Sequence, residues 1–196
     1  MKTILHKSML LVGLLAISTW VSAQVLTFSS QNSSIEINGT SNLHDWKSKT
    51  SQVRGNMVFA DNNQLKSLSV EIPVKSIKSG EKLMDSKTYE TLNADKNPSI
   101  TFRMTEVAGM QRNGNDLQIT VNGNLSIAGS TRKVQLKASG KTNSNGVYTF
   151  SGSINLKMTD FGMKPPTALL GTMKVGDQVK LVFDVTLNDN QKASVN

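Results

Sequence analysis

Apolar and polar residues alternate with a period of two along most of the chain. The clearest segment is 147–158, VYTFSGSINLKM, in which every second position from Tyr148 is apolar or glycine and the positions between are polar. Because successive side chains of a β-strand point to opposite faces, this pattern predicts a strand with one dry face and one solvated face. A helix would require apolar spacing near 3.6 residues, which this segment lacks.

The same alternation recurs in other segments, which are separated by short stretches rich in turn residues. It can be followed through residues 34–38, 53–59, 68–74, 100–104, 117–127, 134–138 and 179–187. Pro73 lies in the polar phase of its segment, so we expect that strand to end near this residue or to lie at an edge or bulge. Roughly eight one-faced strands are typical of an up-and-down barrel or a two-sheet sandwich, so the predicted fold class is all-β.

One segment interrupts the alternation. Residues 79–92 have no period of two, whereas Leu83, Met84, Tyr89 and Leu92 are spaced to share one face of a short helix. The segment 93–98 ends in proline, and the residue before a proline disfavours helical geometry. We therefore predict a short helix within 79–92 that covers one opening of the barrel.

The first 23 residues have the pattern of a secretory signal peptide. Lys2, His6 and Lys7 give a basic start, residues 9–17 are an apolar run, and small residues precede Gln24. The alternative interpretation is a buried N-terminal helix. The signal-peptide interpretation predicts cleavage near Ala23/Gln24, a periplasmic or secreted protein, and a single folded domain over residues 24–196.

Composition limits the chemistry that this domain can perform. The chain has no cysteine, which excludes disulfides, thiol chemistry and a lipidated N-terminal cysteine. The formal net charge is +8, and it falls to +6 without Lys2 and Lys7. The basic residues are scattered along the polar phase, so we expect a solvated surface with a weak attraction to anionic membranes and no nucleic-acid partner.

Residues that could perform catalysis are few and isolated. His44 is the only histidine after the predicted signal peptide, and neither a second histidine nor a serine nucleophile motif accompanies it. We expect His44 to be a turn or rim residue, while Trp46 could close one end of a barrel. Because paired-carboxylate, phosphate-loop and metal-ligand motifs are also missing, the sequence predicts no catalytic residue and no metal site.

Three glycines lie in the apolar phase of long strands: Gly55, Gly123 and Gly152. Small inward residues would leave space along a barrel axis, and eight-stranded barrels can hold one small ligand there. The competing interpretation is that these glycines allow coiled strands to bend. Methionines in the same phase would suit an irregular apolar ligand, although they also fill ordinary cores.

Several segments, in order, resemble the YceI-like lipid-binding proteins over residues 35–187. They are GTSNLHDW, EIPVKSIKS, KLMDSKTYETLNADKNPSITF, GNLSIAGSTRKVQLKASG, DFGM and VGDQVKLVFDV. The resemblance implies an extended, lipocalin-like antiparallel barrel that is exported to the periplasm and holds a polyisoprenoid chain in its lumen. It is also the only basis for expecting a homodimer.

The leading hypothesis is a non-enzymatic carrier or store for a long apolar lipid such as a polyprenyl chain or isoprenoid quinone, with no cofactor besides that lipid. One alternative is a calycin-shaped enzyme, a cyclase or isomerase acting on an apolar substrate. Another is a β-sandwich adhesion or scaffold module with a filled core. The residues predicted to contact lipid are Trp46, Met57, Leu83, Met84, Tyr89, Phe102, Met104, Leu125, Phe150, Gly152, Ile154, Met158, Phe161, Met163 and Phe183.

Overall fold

A computed structural model of the protein describes residues 23–60, 62–143 and 145–189. The predicted signal peptide, apart from Ala23, lies outside these residues. The described part of the chain forms eleven strands and one α-helix. They are β1 (Gln24–Phe28), β2 (Ser34–Ser41), β3 (Trp46–Thr50), β4 (Arg54–Phe59), β5 (Leu65–Pro73), α1 (Lys82–Thr91), β6 (Ser99–Asn113), β7 (Asp116–Ile127), β8 (Ser130–Thr142), β9 (Val147–Lys157), β10 (Thr167–Ala168) and β11 (Met173–Asp189).

The long strands form a closed antiparallel barrel. β5, β6, β7, β8, β9 and β11 pair in that order. β1 and β2 both pair with β11. β1 pairs in addition with β4, and β2 pairs in addition with β3. β4 then pairs with β5 and completes the ring of eight. The predicted all-β barrel is confirmed, and closure of the sheet excludes the two-sheet sandwich.

The alternation in the sequence determines which residues face inward. β7 is the clearest case, because every second residue from Leu117 to Ile127, Gly123 included, is buried while the residues that alternate with them are not. β5 ends at Pro73, as predicted, and a 3-10 turn over Val74–Ser76 follows it. The predicted helix is α1. β1 lies before residue 34, where the alternation begins, so the sequence pattern did not predict this strand.

The inward-facing glycines do not open space along the barrel axis. A Cβ at Gly152 would overlap the backbone carbonyl of Lys137 and would lie 2.5 Å from the ring of Phe183, its partner on β11. At Gly55, φ is +123°, and an added Cβ would overlap the carbonyl of Ser69 on β5. Of the two interpretations of these glycines, the one in which they leave free space along the axis is therefore wrong.

Two of these three glycines, and two others, instead accommodate an aromatic ring. In four places a ring from a neighbouring strand lies where a glycine Cβ would be, so that any side chain there would overlap the ring. These glycine–aromatic pairs are Gly39–Trp46, Gly123–Phe102, Gly140–Phe150 and Gly152–Phe183. Because the glycine has no side chain, the ring can pack directly against the backbone of the neighbouring strand. This arrangement is known as aromatic rescue of a strand glycine.

Substitution of a paired glycine should therefore destabilise the barrel through its ring. We expect Gly140→Ala to lower the free energy of unfolding by about 1–3 kcal/mol, because the new methyl group overlaps the ring of Phe150. Combining it with Phe150→Leu should cost less than the sum of the two single changes, since the shorter side chain relieves the overlap. Urea denaturation of the four proteins measures this coupling.

Gly109→Ala is the matched control on β6. A Cβ there would have its nearest neighbour at 4.0 Å, an ordinary contact with Thr120, so this variant should be close to neutral. Additivity of Gly140→Ala and Phe150→Leu within about 0.5 kcal/mol would contradict the steric explanation.

Candidate functional site

The barrel encloses two cavities that follow one another along the strands. On β11, Val175 and Val179 line the first, which we call the outer cavity. Val185 and Leu187 line the second, which we call the inner cavity. Side chains common to both walls lie between the two cavities: Ile100, Ile127 and Leu181.

The inner cavity has a volume of about 140 Å³, and every residue that lines it is apolar. The wall is formed mainly by the middles of β4 to β9 and by the second half of β11. Three aromatic rings from the glycine–aromatic pairs form part of this wall: Phe102, Phe150 and Phe183. The space is therefore dry and can accept only hydrocarbon without an energetic penalty for unpaired polar groups.

The outer cavity has a volume of about 210 Å³, and its wall changes from apolar to polar. α1 covers one side of it with Leu83, Met84 and Thr88, and Trp46 on β3 contributes an aromatic face. The charged and imidazole side chains in its wall are His44, Glu81 and Lys87, none of which is buried. This cavity therefore forms the mouth of the barrel, with α1 over it as the sequence predicted.

Two side chains fix α1 to the segment that precedes it. The Tyr89 hydroxyl donates a hydrogen bond to the Ile77 carbonyl at 2.9 Å and accepts one from Lys78 Nζ at 2.6 Å. The Asp85 carboxylate accepts bonds from the Ser79 backbone N–H and hydroxyl, each 2.7 Å long. Burial by itself would raise the pKa of Asp85, but the Ser79 bonds together with Lys78 hold it below its usual value. The carboxylate is therefore ionised at neutral pH, and the helix stays anchored.

Eleven of the fifteen residues predicted to contact lipid line one of the two cavities. Those in the inner cavity are Met57, Phe102, Leu125, Phe150, Ile154 and Phe183. Those in the outer cavity are Trp46, Leu83, Met84, Met158 and Met163. Their contact with a ligand stays a prediction.

The other four predicted residues lie outside both cavity walls. Tyr89 uses its hydroxyl to anchor α1, and Gly152 lies beneath the ring of Phe183. Phe161, in a 3-10 turn after β9, is buried in the apolar core, while Met104 packs against that core. The sequence pattern assigned these side chains to the dry side of the barrel but could not separate packed core from cavity wall.

Sequence reasoning missed a polar residue in the outer cavity. β3 reads WKSKT, and its inward residues are Trp46, Ser48 and Thr50. Ser48 lines the outer cavity and is only 2% exposed. Because both faces of this strand carry polar residues, no hydrophobic alternation indicated which of them point inward.

His44 lies in the turn between β2 and β3 and at the mouth of the outer cavity. Its backbone N–H donates to the Ser41 hydroxyl at 3.1 Å, and its Nδ1 donates to the Asp45 carbonyl at 2.8 Å. Lys87, on the opposite side of the mouth, is paired with Glu90 at 2.7 Å. In the described residues, no three potential metal ligands come together, and no helix is long and apolar enough to cross a membrane.

Solved structures of several bacterial proteins share this fold. BcnA of Burkholderia cenocepacia superimposes with a TM-score of 0.67 at 20% identity, covering 81% of this chain and 98% of BcnA. A polyisoprenoid-binding domain from Saccharophagus degradans gives a TM-score of 0.68 at 12% identity, covering 85% of this chain and 99% of that domain. A YceI protein of Campylobacter jejuni gives 0.58 at 21% identity, with 73% of this chain and 84% of that protein covered.

Sequence comparison gives closer but shorter matches. A UPF0312 protein of Pseudomonas paraeruginosa is 42% identical over 83 residues, which are 40% of this chain and 41% of that protein. A UPF0312 protein of Pseudomonas aeruginosa is 40% identical over the same length. This chain thus aligns with about two fifths of the length of these curated relatives. The model of the YceI-like domain, in contrast, matches residues 26–187, nearly the whole barrel, and the chain therefore belongs to the YceI-like domain family.

Proposed function

We propose that this protein is exported and holds one long apolar lipid, of the polyisoprenoid type, in the two cavities of its barrel. The observation that carries the proposal is the inner cavity, whose wall is entirely apolar and which lies directly behind a more polar mouth. The polyisoprenoid-binding domain of Saccharophagus degradans has the same fold, which supports this class of ligand.

The two cavities together suit a chain rather than a compact ligand. Val175 in the outer wall and Leu187 in the inner wall are twelve residues apart on β11. This corresponds to at most about 40 Å along the strand, and to less than about 30 Å along the axis of a barrel with typical strand tilt, because β11 has an irregularity between Val175 and Val179. Their combined volume is at the lower end of the roughly 300–1,000 Å³ found for ligand sites. A narrow space of this length fits an extended hydrocarbon.

The binding energy would come from removing the lipid from water. Each Å² of apolar surface buried contributes about 25 cal/mol before the cost of ordering the ligand. A site of this kind needs no set of precisely placed polar groups, which agrees with the entirely apolar wall of the inner cavity. It would therefore distinguish ligands mainly by length and thickness.

The alternative of an enzyme with an apolar substrate has little support in the cavity walls. The inner cavity is lined by no titratable side chain. The titratable groups of the outer cavity lie at its opening, and one of them, Lys87, is paired with Glu90. General acid–base chemistry requires an acid and a base that converge on the reacting atoms, and neither wall offers such a pair.

The rim of the outer cavity has the composition of a membrane-contact surface. Leu43 and Leu83 are 55% and 59% exposed, and Leu170 is fully exposed. The Asn42 side chain joins the turn that carries Leu43 to the segment just after Leu170, because it donates to the Thr172 carbonyl and accepts from the Lys174 N–H. Exposed lysines lie near these three leucines in the sequence, namely Lys47, Lys82, Lys164 and Lys174. We propose that this rim contacts an anionic bilayer while lipid enters or leaves.

The lipid should be detectable and should be lost when the inner cavity is filled. Protein purified from the compartment to which it is exported should release a long isoprenoid lipid into organic solvent, identified by mass spectrometry. Ile154→Trp replaces a branched alkyl group by a bulky indole ring in the inner cavity, so we expect this variant to fold with a near-normal melting temperature but to carry several-fold less lipid.

Asn155→Trp is the control, because the adjacent residue on β9 is exposed on the outside of the barrel. It should keep its lipid. Gly152→Leu is unsuitable as a plug, since its side chain would collide with the wall itself. A lipid content equal to that of the unmodified protein in a folded Ile154→Trp variant would contradict binding in the inner cavity.

Membrane contact should depend on the rim leucines. We expect a variant carrying Leu43→Gln, Leu83→Gln and Leu170→Gln to bind vesicles that contain phosphatidylglycerol on the order of tenfold more weakly, because three apolar side chains no longer enter the interface. Vesicle flotation at low and high salt measures the loss. Val107→Gln, at an exposed apolar residue of β6 outside both cavity walls, is the control. An equal loss in this control would argue against a specific rim.

A further inference from the structure

Ser48 is a buried hydroxyl without a partner. The residue is 2% exposed, and its Oγ is the one buried side-chain oxygen or nitrogen in the described residues that makes no hydrogen bond. It lies on β3 opposite Ile37 of β2, and both residues line the outer cavity. A buried hydroxyl that gives up water without gaining a partner is unfavourable, so its presence calls for an explanation.

The neighbouring inward polar groups of the same region are satisfied by the protein. Thr50 Oγ1, two residues along β3, bonds to Ser76 Oγ at 2.8 Å. Trp46 Nε1, two residues in the other direction, donates to the Thr40 carbonyl at 3.1 Å. Ser41 Oγ, at the mouth, donates to the His44 carbonyl at 2.7 Å. Among these polar groups, only the Ser48 hydroxyl leaves its bonding capacity unused, and its residue is part of the outer cavity wall.

The surroundings of Ser48 limit the chemistry of a group that could bind there. The cavity wall around it is mainly apolar, and the charged side chains in that wall, Glu81 and Lys87, lie at the exposed opening. An ionised group at the depth of Ser48 would lose its hydration without gaining a buried counter-charge. A neutral hydroxyl or carbonyl oxygen would lose far less and would gain one hydrogen bond.

We propose that Ser48 Oγ is the hydrogen-bond partner of a neutral oxygen near one end of the bound lipid, a hydroxyl or a carbonyl group. The apolar chain of that lipid then extends past Ile100, Ile127 and Leu181 into the inner cavity. This inference rests on the proposed lipid-binding function and adds the position and the chemical class of the polar end of the ligand.

The test compares two probes that differ only in one hydroxyl. A long-chain prenyl alcohol and the matching hydrocarbon compete with a fluorescent apolar probe for the full-length, lipid-depleted protein. We expect the unmodified protein to prefer the alcohol roughly three- to tenfold, the range for one net neutral hydrogen bond. Ser48→Ala should lose this preference and bind the hydrocarbon as before, and Ser48→Thr should restore it.

Thr91→Val is the matched control. Thr91 lines the same cavity, but its hydroxyl already donates to the Lys87 carbonyl at 2.8 Å, so its removal should leave the preference for the alcohol intact. Retention of the preference in Ser48→Ala, or no preference in the unmodified protein, would overturn the role of Ser48 while leaving lipid binding in place. Failure of the unmodified protein to bind either probe would overturn both proposals.

The melting temperature of lipid-free protein gives a second, independent readout. Because the Ser48 hydroxyl has no partner in the protein, Ser48→Ala should melt at the same temperature as the unmodified protein or at a higher one. A lower melting temperature would indicate that the hydroxyl serves the fold, and it would overturn the inference.

Discussion

The contact of an aromatic ring with a glycine on the neighbouring strand shapes the interior of this barrel. Eight strands closed into a ring leave an interior that ordinary side chains nearly fill. A large inward ring would normally project into that interior. Over Gly123, Gly140 and Gly152, however, the rings of Phe102, Phe150 and Phe183 lie against the wall, and all three line the inner cavity. Over Gly39, Trp46 does the same for the outer cavity. The cavities therefore exist because these rings pack against glycines of the sheet and do not fill the barrel interior.

This arrangement also explains how far the sequence could be interpreted. The period of two is a local property, so it predicted most of the long strands, their inward faces and, through its interruption, the helix at residues 82–91. The same period assigned five residues to the inward face, and all five line the inner cavity: Phe102, Leu125, Phe150, Ile154 and Phe183. Whether an inward glycine leaves a gap depends on the residue that pairs with it across the sheet. That register is set by pairing between distant segments, such as β9 with β11, and no local pattern contains it.

The polar residues of the interior were harder to foresee than its apolar ones. In WKSKT, polar side chains occupy both faces of β3, since its outward lysines face solvent and its inward Ser48 and Thr50 face the barrel. The only sequence signal was the presence of a short strand that lacked an apolar phase in an otherwise strongly alternating chain. A strand of this kind can contribute polar side chains to a cavity whose other walls are mainly apolar. The sequence does not indicate which of these hydroxyls has a partner, because Thr50 bonds to Ser76 of a distant segment, whereas the Ser48 hydroxyl bonds to no group in the described part of the chain.

The change from a polar mouth to an apolar interior has a direction, and under the proposed function that direction would order the steps of lipid binding. A lipid chain that enters at α1 meets Lys87, Glu81 and His44 first, then Trp46 and Ser48, and then a wall without any polar group. Each step inward replaces water around the chain with apolar contacts, while a polar end would lose hydration without replacement beyond Ser48. On the two proposals together, the chain would enter with its apolar end first and stop when its oxygen reaches the Ser48 hydroxyl. The same geometry would select for length, because a chain that fills the inner cavity while its oxygen lies at Ser48 satisfies both conditions at once.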